Sequence, residues 1–302
     1  MVMEIGIIGL GRMGAGMVQR LISRGRHRVV VFDQDPARVA AVAAHGAVGA
    51  ATLPALVQQL ATPRAVWLMV PAGDPTEEVI GQLSGLLKPG DTVIDGGNAF
   101  YKDSIRRAEQ LKARGIAFVD AGTSGGIWGL EVGYCLMVGG EVAAVKRLEP
   151  IFTTLAPDHG YRHVGPPGAG HFVKMVHNGI EYGLLQAYAE GFALLDAAPF
   201  PLDLAAIAEL WNHGSVVRSW LLELTHRALQ KDPRLVAIQG YVDDSGEGRW
   251  TVQEAMARGV SVPAIAAALW ARFRSRQSET FGDKVIAALR REFGGHAVKR
   301  KV

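Results

Sequence analysis

Cysteine is nearly absent from this chain. Of its 302 residues only Cys135 is a cysteine. A disulfide within the chain is impossible, which fits a reducing, cytoplasmic setting. Its place in the apolar run Tyr134 to Val138 predicts a small buried core residue. The opening stretch MVMEIGIIG has neither a basic leader nor a small-residue cleavage site, so no signal peptide is expected. No apolar run approaches membrane-spanning length, which argues against a membrane partner. Metal-ligand spacings are missing as well. There is no CxxC and no HExxH, and His171 and His177 stand i, i+6 apart on different helical faces. Neither sign of charge dominates. A net charge of +3 and a pI near 9.0 suit an anionic small molecule, and the excess is too weak and dispersed for nucleic acid. No internal repeat or low-complexity segment interrupts the chain.

What is present is apolar and patterned. With 49% hydrophobic and 20% charged residues, the chain can bury a full core in one or two domains. Residues 4 to 10 read as an apolar strand running into Gly9, Leu10, Gly11, Arg12, Met13 and Gly14. This is GxGxxG with a strand before it and a helix after it, from about Met13 to Arg24 with Gly25 as its stop. The glycines permit a tight turn, close approach of the backbone to a pyrophosphate and close helix–strand packing. The helix N-terminus then faces the phosphates. A second strand, Arg28 to Phe32, ends at Asp33, near the spacing at which a carboxylate takes the ribose hydroxyls. Asp33 would repel a 2′-phosphate, and Gln34, Asp35 and Pro36 follow it, with Arg38 a turn further on. NAD is therefore favoured over NADP.

Further strand–helix units follow. Strands are expected at 65–70, 93–95, 117–120 and 135–138, and helices at 103–114 and 143–155. The glycine-rich segments after Leu10, Val70, Asp95 and Asp120 all fall at strand carboxyl ends, where doubly wound sheets bind ligands. Among them Ser124, Gly125 and Gly126 offer a hydroxyl and bare backbone amides, suited to a carboxylate or phosphate.

The stretch from Gly165 to Phe192 reads as one long helix. Lys174, His177, Asn178, Glu181 and Tyr182 fall at i, i+3, i+4, i+7 and i+8, on one face. Phe172, Val173, Met175, Val176, Ile180, Leu184 and Leu185 make most of the remainder apolar. This predicts a largely buried helix whose polar stripe lines a cavity. Lys174 is a candidate general base and Glu181 a candidate general acid, about two turns apart along the helix. After Phe192 the alternation ends. Helices are expected at 204–211, 219–229, 252–258, 264–276 and 283–293. Thr251 and Glu254 read as a capping box, and the stretch DSGEGRWT reads as loop. Phe281 opens the last helix, Gly294 and Gly295 end it, and His296, Lys299, Arg300 and Lys301 make a basic end. The expected architecture is a Rossmann-type doubly wound α/β domain at 1–164, followed by an all-helical domain at 165–302 for substrate and oligomerisation.

The motifs IGLGRMG, DGGN (95–98), GTSGG (122–126), GHFVKMVHNGIEY (170–182), GRWT (248–251) and RREFGGH (290–296) resemble those of decarboxylating 6-phosphogluconate dehydrogenases of the shorter bacterial type. The resemblance runs along essentially the whole chain. The wider 3-hydroxyacid dehydrogenase superfamily shares the glycine loop, the SGG turn, the lysine and the asparagine, and generally lacks a glutamate at the place of Glu181. The resemblance implies oxidation of a sugar phosphate, 6-phosphogluconate, to ribulose 5-phosphate in the pentose phosphate pathway. Lys174 would take the 3-hydroxyl proton and Glu181 would protonate C1 of the enediol. Asn98, Ser124, Gly125, Gly126, His177 and Asn178 would hold the carboxylate and hydroxyls. Tyr182, Arg272, Arg290 and His296 would hold the phosphate end. Val70, Pro71, Ala72 and Asn98 would contact the cofactor. The tail arginine and histidine would reach a neighbouring subunit's site, which implies a homodimer or homotetramer. Two departures stand out: Ser245 and Glu247 occupy positions where longer members carry a phosphate-side lysine and threonine. Oxidation of a plain 3-hydroxy acid without decarboxylation is the alternative within the fold, and a cofactor-binding sensor without turnover is the alternative outside it.

Overall fold

The computed structural model describes residues 2–299, so the basic residues expected at Arg300 and Lys301 lie outside it. The first part alternates strands and helices: β1 Glu4–Ile8, α1 Arg12–Gly25, β2 Arg28–Phe32, α2 Pro36–Ala43, β3 Val48–Gly49, α3 Leu53–Gln58, β4 Ala65–Leu68 and α4 Asp74–Leu86. It continues with β5 Thr92–Asp95, α5 Tyr101–Lys112, β6 Ala117–Ser124, α6 Gly129–Val132, β7 Cys135–Gly140, α7 Val142–Leu155 and β8 Tyr161–Gly165. The sheet order is β3-β2-β1-β4-β5-β6-β7-β8. All neighbours are parallel except β6 and β7, which pair antiparallel from Val119–Gly140 to Ser124–Cys135. The connection between β6 and β7 holds only short helical turns, too little chain for a parallel crossover. Strand residues alternate between two cores. Val29, Val31 and Trp67 face Met17, Leu21, Ile151 and Phe152 of α1 and α7. Val30, Val66 and Leu68 face Leu56, Ile80, Leu83 and Leu111 of α3, α4 and α5. Near-continuous apolar strands are what a sheet covered on both faces requires.

The long helix α8 spans Ala169–Asp196. Contacts divide the chain into compact units Met1–Asn178 and Gly179–Val302, so the division falls inside α8, whereas the sequence reading placed it at 164/165. The start of α8 belongs with the sheet because Gly170 lies against backbone carbonyls of Asp120 and Met137. The second unit is helical: α9 Leu204–Asn212, α10 Trp220–Lys231, α11 Glu247–Ala257, α12 Pro263–Ser275 and α13 Phe281–Gly294. No described helix is long and apolar enough to cross a membrane.

Several expectations are corrected. Cys135 is exposed, because it opens β7 opposite Ser124 at the sheet's end rather than inside the core. The helix expected to stop at Gly25 stops one residue later, with Arg26 in the left-handed region at φ 52°. Gly122, Thr123 and Ser124 belong to strand β6, not to a loop. GRWT lies within α11, since Gly248 packs under the ring of Tyr182 and the helix begins before it. Thr251 and Glu254 form no capping box. Inside α11 the Thr251 hydroxyl donates to the Glu247 carbonyl at 2.8 Å and Glu254 pairs with Arg258 at 2.6 Å. The burial of α8 also differs from expectation. Lys174, Asn178 and Tyr182 of the polar stripe are buried, while Val173, Ile180, Leu184 and Leu185 are exposed.

Candidate active site

The glycine loop stands between β1 and α1, at the point where the strand order reverses. Gly9 takes φ 93°, open to glycine at low cost. A Cβ there would lie 2.5 Å from the Met69 carbonyl oxygen. A Cβ on Gly14 would overlap the carbonyl of Gly9, whereas one on Gly11 would meet nothing within 4 Å. The loop is thus crowded behind and open in front. Helix α1 has no side-chain cap and no acidic residue in its first turn, so its leading N–H groups are free of an internal anion. Leu10 is buried, Arg12 is exposed and Met13 is partly buried. The hydroxyl of buried Tyr134 donates to the Met13 carbonyl at 3.4 Å, and burial pushes this phenol up to about 12, so it remains protonated. These features fit a dinucleotide pyrophosphate.

Asp33, expected at the ribose, also has partners within the protein. Its Oδ2 accepts the Leu10 N–H at 2.6 Å and its Oδ1 accepts the Asp35 N–H at 2.9 Å. Arg38 stands between the carboxylates, 3.7 Å from Asp33 and 3.5 Å from Asp35. On the same sheet edge, Val70, Pro71 and Ala72 follow β4, and exposed Asn98 follows β5. The Thr76 hydroxyl of α4 donates to the Pro71 carbonyl at 2.8 Å.

Lys174 is buried on the first part of α8, and a Cβ on Gly122 of β6 would overlap its own. Its Nζ lies 3.5 Å from His177 Nδ1. His177 Nε2 lies 3.4 Å from Ser124 Oγ, and His177 Nδ1 lies 3.0 Å from Asn178 Oδ1. Four of the sequence-predicted residues, Lys174, His177, Asn178 and Ser124, therefore form one polar cluster. Gly125 and Gly126 follow Ser124 with φ 120° and 54°. Asp120, which sequence reasoning did not single out, holds the helix that carries this cluster. Fully buried on β6, it accepts the Gly168 N–H at 2.7 Å and the His171 N–H at 2.8 Å, capping α8 from the sheet. A negative charge is well placed at a helix N-terminus.

The second unit carries its own cluster. The guanidinium of Arg272 stacks 3.4 Å over the ring of Tyr182, and Arg272 also donates to the Asp243 carbonyl at 3.0 Å. Tyr182 is buried, and among the described residues its hydroxyl has no hydrogen-bond partner. An unanswered buried hydroxyl beside a guanidinium is a natural place for an anion's oxygens. Glu247, also buried, accepts the Ser245 hydroxyl at 2.6 Å, so both departures from the longer members' pattern are spent on each other. Glu181 is partly buried, about two turns past Lys174 on α8. Arg290 sits in the last turns of α13, a helix with no buried residue, and His296 lies just beyond its end; both are exposed.

Residues 4–165 match the NAD binding domain of 6-phosphogluconate dehydrogenase, and residues 170–290 match the 6-phosphogluconate dehydrogenase C-terminal domain. The chain is 47% identical over 299 residues to YqeC of Bacillus subtilis (strain 168), covering 99% of this chain and 100% of that one. It is 46% identical over 302 residues to an NAD(+)-dependent, decarboxylating 6-phosphogluconate dehydrogenase of Haloferax volcanii, covering 99% of each. Among solved structures, 6-phosphogluconate dehydrogenase of Plasmodium falciparum superposes with a TM-score of 0.83 at 29% identity, over 99% of this chain and 66% of that longer one. This chain belongs to the 6-phosphogluconate dehydrogenase family.

Proposed function

We propose that this protein oxidises and decarboxylates 6-phospho-D-gluconate to D-ribulose 5-phosphate and CO2, with NAD as the hydride acceptor. The observation that carries the reading is the polar cluster of buried Lys174 and Asn178 with partly buried His177 and Ser124, in a chain that also carries the open-fronted glycine loop. Gly9, Gly11, Gly14 and the first turn of α1 hold the pyrophosphate, and Asp33 takes the adenosine ribose. NAD, when bound, supplies the hydride-accepting ring. Asp33 disfavours a 2′-phosphate, which makes NADP the weaker cofactor.

Lys174 acts first as base, taking the proton of the substrate's 3-hydroxyl as hydride leaves C3. A ketone beside the carbon bearing the carboxylate makes loss of CO2 easy, and Lys174 returns its proton to the enolate oxygen that develops. Glu181 then protonates C1 of the enediol. Ser124, the amides of Gly125 and Gly126, His177, Asn178 and Asn98 orient the carboxylate and hydroxyls. Tyr182 and Arg272 receive the phosphate, where the unpartnered phenol and the stacked guanidinium supply donors.

The same reading makes the protein a cytoplasmic homo-oligomer, at least a dimer, with Arg290 and His296 completing the phosphate end of a neighbour's site. Helix α13 buries none of its own residues, and Phe281 and Phe293 on it are 82% and 78% exposed. The buried core cluster of the second unit is Tyr182, Val252, Ala268 and Leu269, while Ile180, Leu194, Val216 and Trp270 stay exposed. So much uncovered apolar surface suits a second copy of the chain. CO2 release measured alongside NADH formation on 6-phosphogluconate tests the function. NADH without CO2 would indicate a plain 3-hydroxyacid dehydrogenase, and neither product would indicate a binding protein.

A further inference from the structure

Arg107 of α5 is fully buried, and its guanidinium is shared between two carboxylates from different elements. Its Nη1 donates to Asp95 Oδ2 at 2.9 Å. Its Nε and Nη2 donate to Glu77 Oε1 at 3.0 and 2.7 Å. Asp95 is the last residue of β5, and its other oxygen accepts the Gly97 N–H at 3.1 Å, closing the turn that leads to Asn98. Glu77 stands in the first turn of α4, beside Thr76, whose hydroxyl holds the Pro71 carbonyl. The two loops also touch: a Cβ on Gly97 would lie 3.0 Å from the Val70 carbonyl oxygen. One side chain thus ties the loop after β4 to the loop after β5.

A buried arginine is costly unless its donors are matched. The contact with Asp95 alone would leave Nε and Nη2 without acceptors, so the match is completed only by Glu77 of α4. The fork of the guanidinium spans both carboxylates, which a lysine's single ammonium cannot do. Arg106 also pairs with Glu77, but from an exposed position where ion pairs count for little.

We propose that Arg107 is a positioning residue that makes the loops 70–73 and 96–98 a single block, so that Val70, Pro71, Ala72 and Asn98 keep one mutual geometry. This rests on the proposed function, which assigns Asn98 to the substrate, and on the family resemblance, by which Val70, Pro71 and Ala72 contact the cofactor. Hydride transfer needs the reacting atoms held about 3–3.5 Å apart, and a misplacement of about 1 Å can cost on the order of 10²-fold.

The test uses the full-length protein and two single variants, Arg107→Lys and Glu77→Ala, with their combination. Arg107→Lys keeps a cation for Asp95 and drops the span. Glu77→Ala cuts the same link from its less buried end, so it remains informative should Arg107→Lys fail to fold. In the absence of substrate, amide hydrogen exchange should rise by about tenfold in peptides covering both 70–77 and 95–99, with the strands of the sheet unchanged. With 6-phosphogluconate and NAD, kcat should fall about 10- to 100-fold in each single variant at temperatures where both remain folded. The double variant should be no slower than the slower single one, because both cut one link in series. Arg106→Gln should leave kcat within about twofold. Loosening of only one loop, additive losses in the double variant, or a loss of kcat that merely follows the unfolded fraction would overturn the proposal. A wild-type protein inactive on 6-phosphogluconate would refute the functional reading instead, and the exchange data would still decide the coupling.

Discussion

The carboxylate of Asp33 accepts the backbone N–H of Leu10 at 2.6 Å, so the residue proposed to read the ribose also holds the glycine loop in shape. Cofactor choice and loop geometry are therefore linked through one side chain. Replacing Asp33 with Ala and Gln34 with Arg should shift preference from NAD toward NADP, since the carboxylate's repulsion goes and a guanidinium arrives. It should also lower kcat/KM with both cofactors, because Leu10 loses its acceptor. Asp33→Asn with Gln34→Arg, which keeps an acceptor oxygen, should lose less. Steady-state kinetics with NAD and NADP check this, and a native enzyme that already prefers NADP would contradict it.

Gly11 and Gly14 should fail differently when changed to alanine. At Gly14 the new methyl meets the Gly9 carbonyl, so overpacking should cost stability, about 1–3 kcal/mol. At Gly11 the methyl enters open space, so the melting temperature should hold while NAD affinity falls. Thermal unfolding with and without NAD separates the two cases.

Lys174→Met and Glu181→Gln should both fold and bind NAD, because neither side chain belongs to the glycine loop or to Asp33. Lys174→Met should abolish the hydride step. Glu181→Gln should lower turnover by a factor on the order of 10²–10⁴, as loss of a general acid does. Single-turnover NADH formation and CO2 release report the two steps, and near-native turnover in either variant would remove that residue from the mechanism.

If Arg290 and His296 act in a neighbour's site, two dead variants should rescue each other. Mixing Lys174→Met with Arg290→Ala should restore up to about half of one site's activity per dimer under two-fold exchange of the tail. No recovery after verified subunit exchange, or a fully active monomer, would rule out a shared site.

His27 makes folding sensitive to acid. Its buried ring accepts the Met3 N–H at 3.0 Å through Nδ1 and lies 2.9 Å from the Thr154 hydroxyl through Nε2. Burial, first among the causes, holds its pKa below the ordinary histidine value of 6.5. Below pH 6.5 the unfolded chain therefore binds a proton that the folded chain refuses. The stability from neutral His27 should be complete above that pH and fade as pH falls toward the folded-state value. Urea unfolding of wild type and His27→Gln should differ most near pH 7.5 and converge in acid. A difference that grows in acid would reverse the assignment.

Much of this molecule is determined by local sequence. The strand–glycine–helix start and the apolar strands of a two-faced sheet are written in short-range patterns, because side-chain period and glycine's φ range act within a few residues. So is the stripe from Lys174 to Tyr182, since helical spacing alone puts those residues on one face. Tertiary structure decided which face of α8 is buried, because its first turns are bolted to β6 by Asp120 and by the contact of Gly122 with Lys174. It also decided that GRWT is helical, where the ring of Tyr182 over Gly248 outweighs weak local propensity, and that Cys135 is exposed at a strand end. The bracket of Glu77, Arg107 and Asp95 leaves no sequence signature, because its three members come from different elements and acquire their meaning only when burial leaves a guanidinium no partner but them.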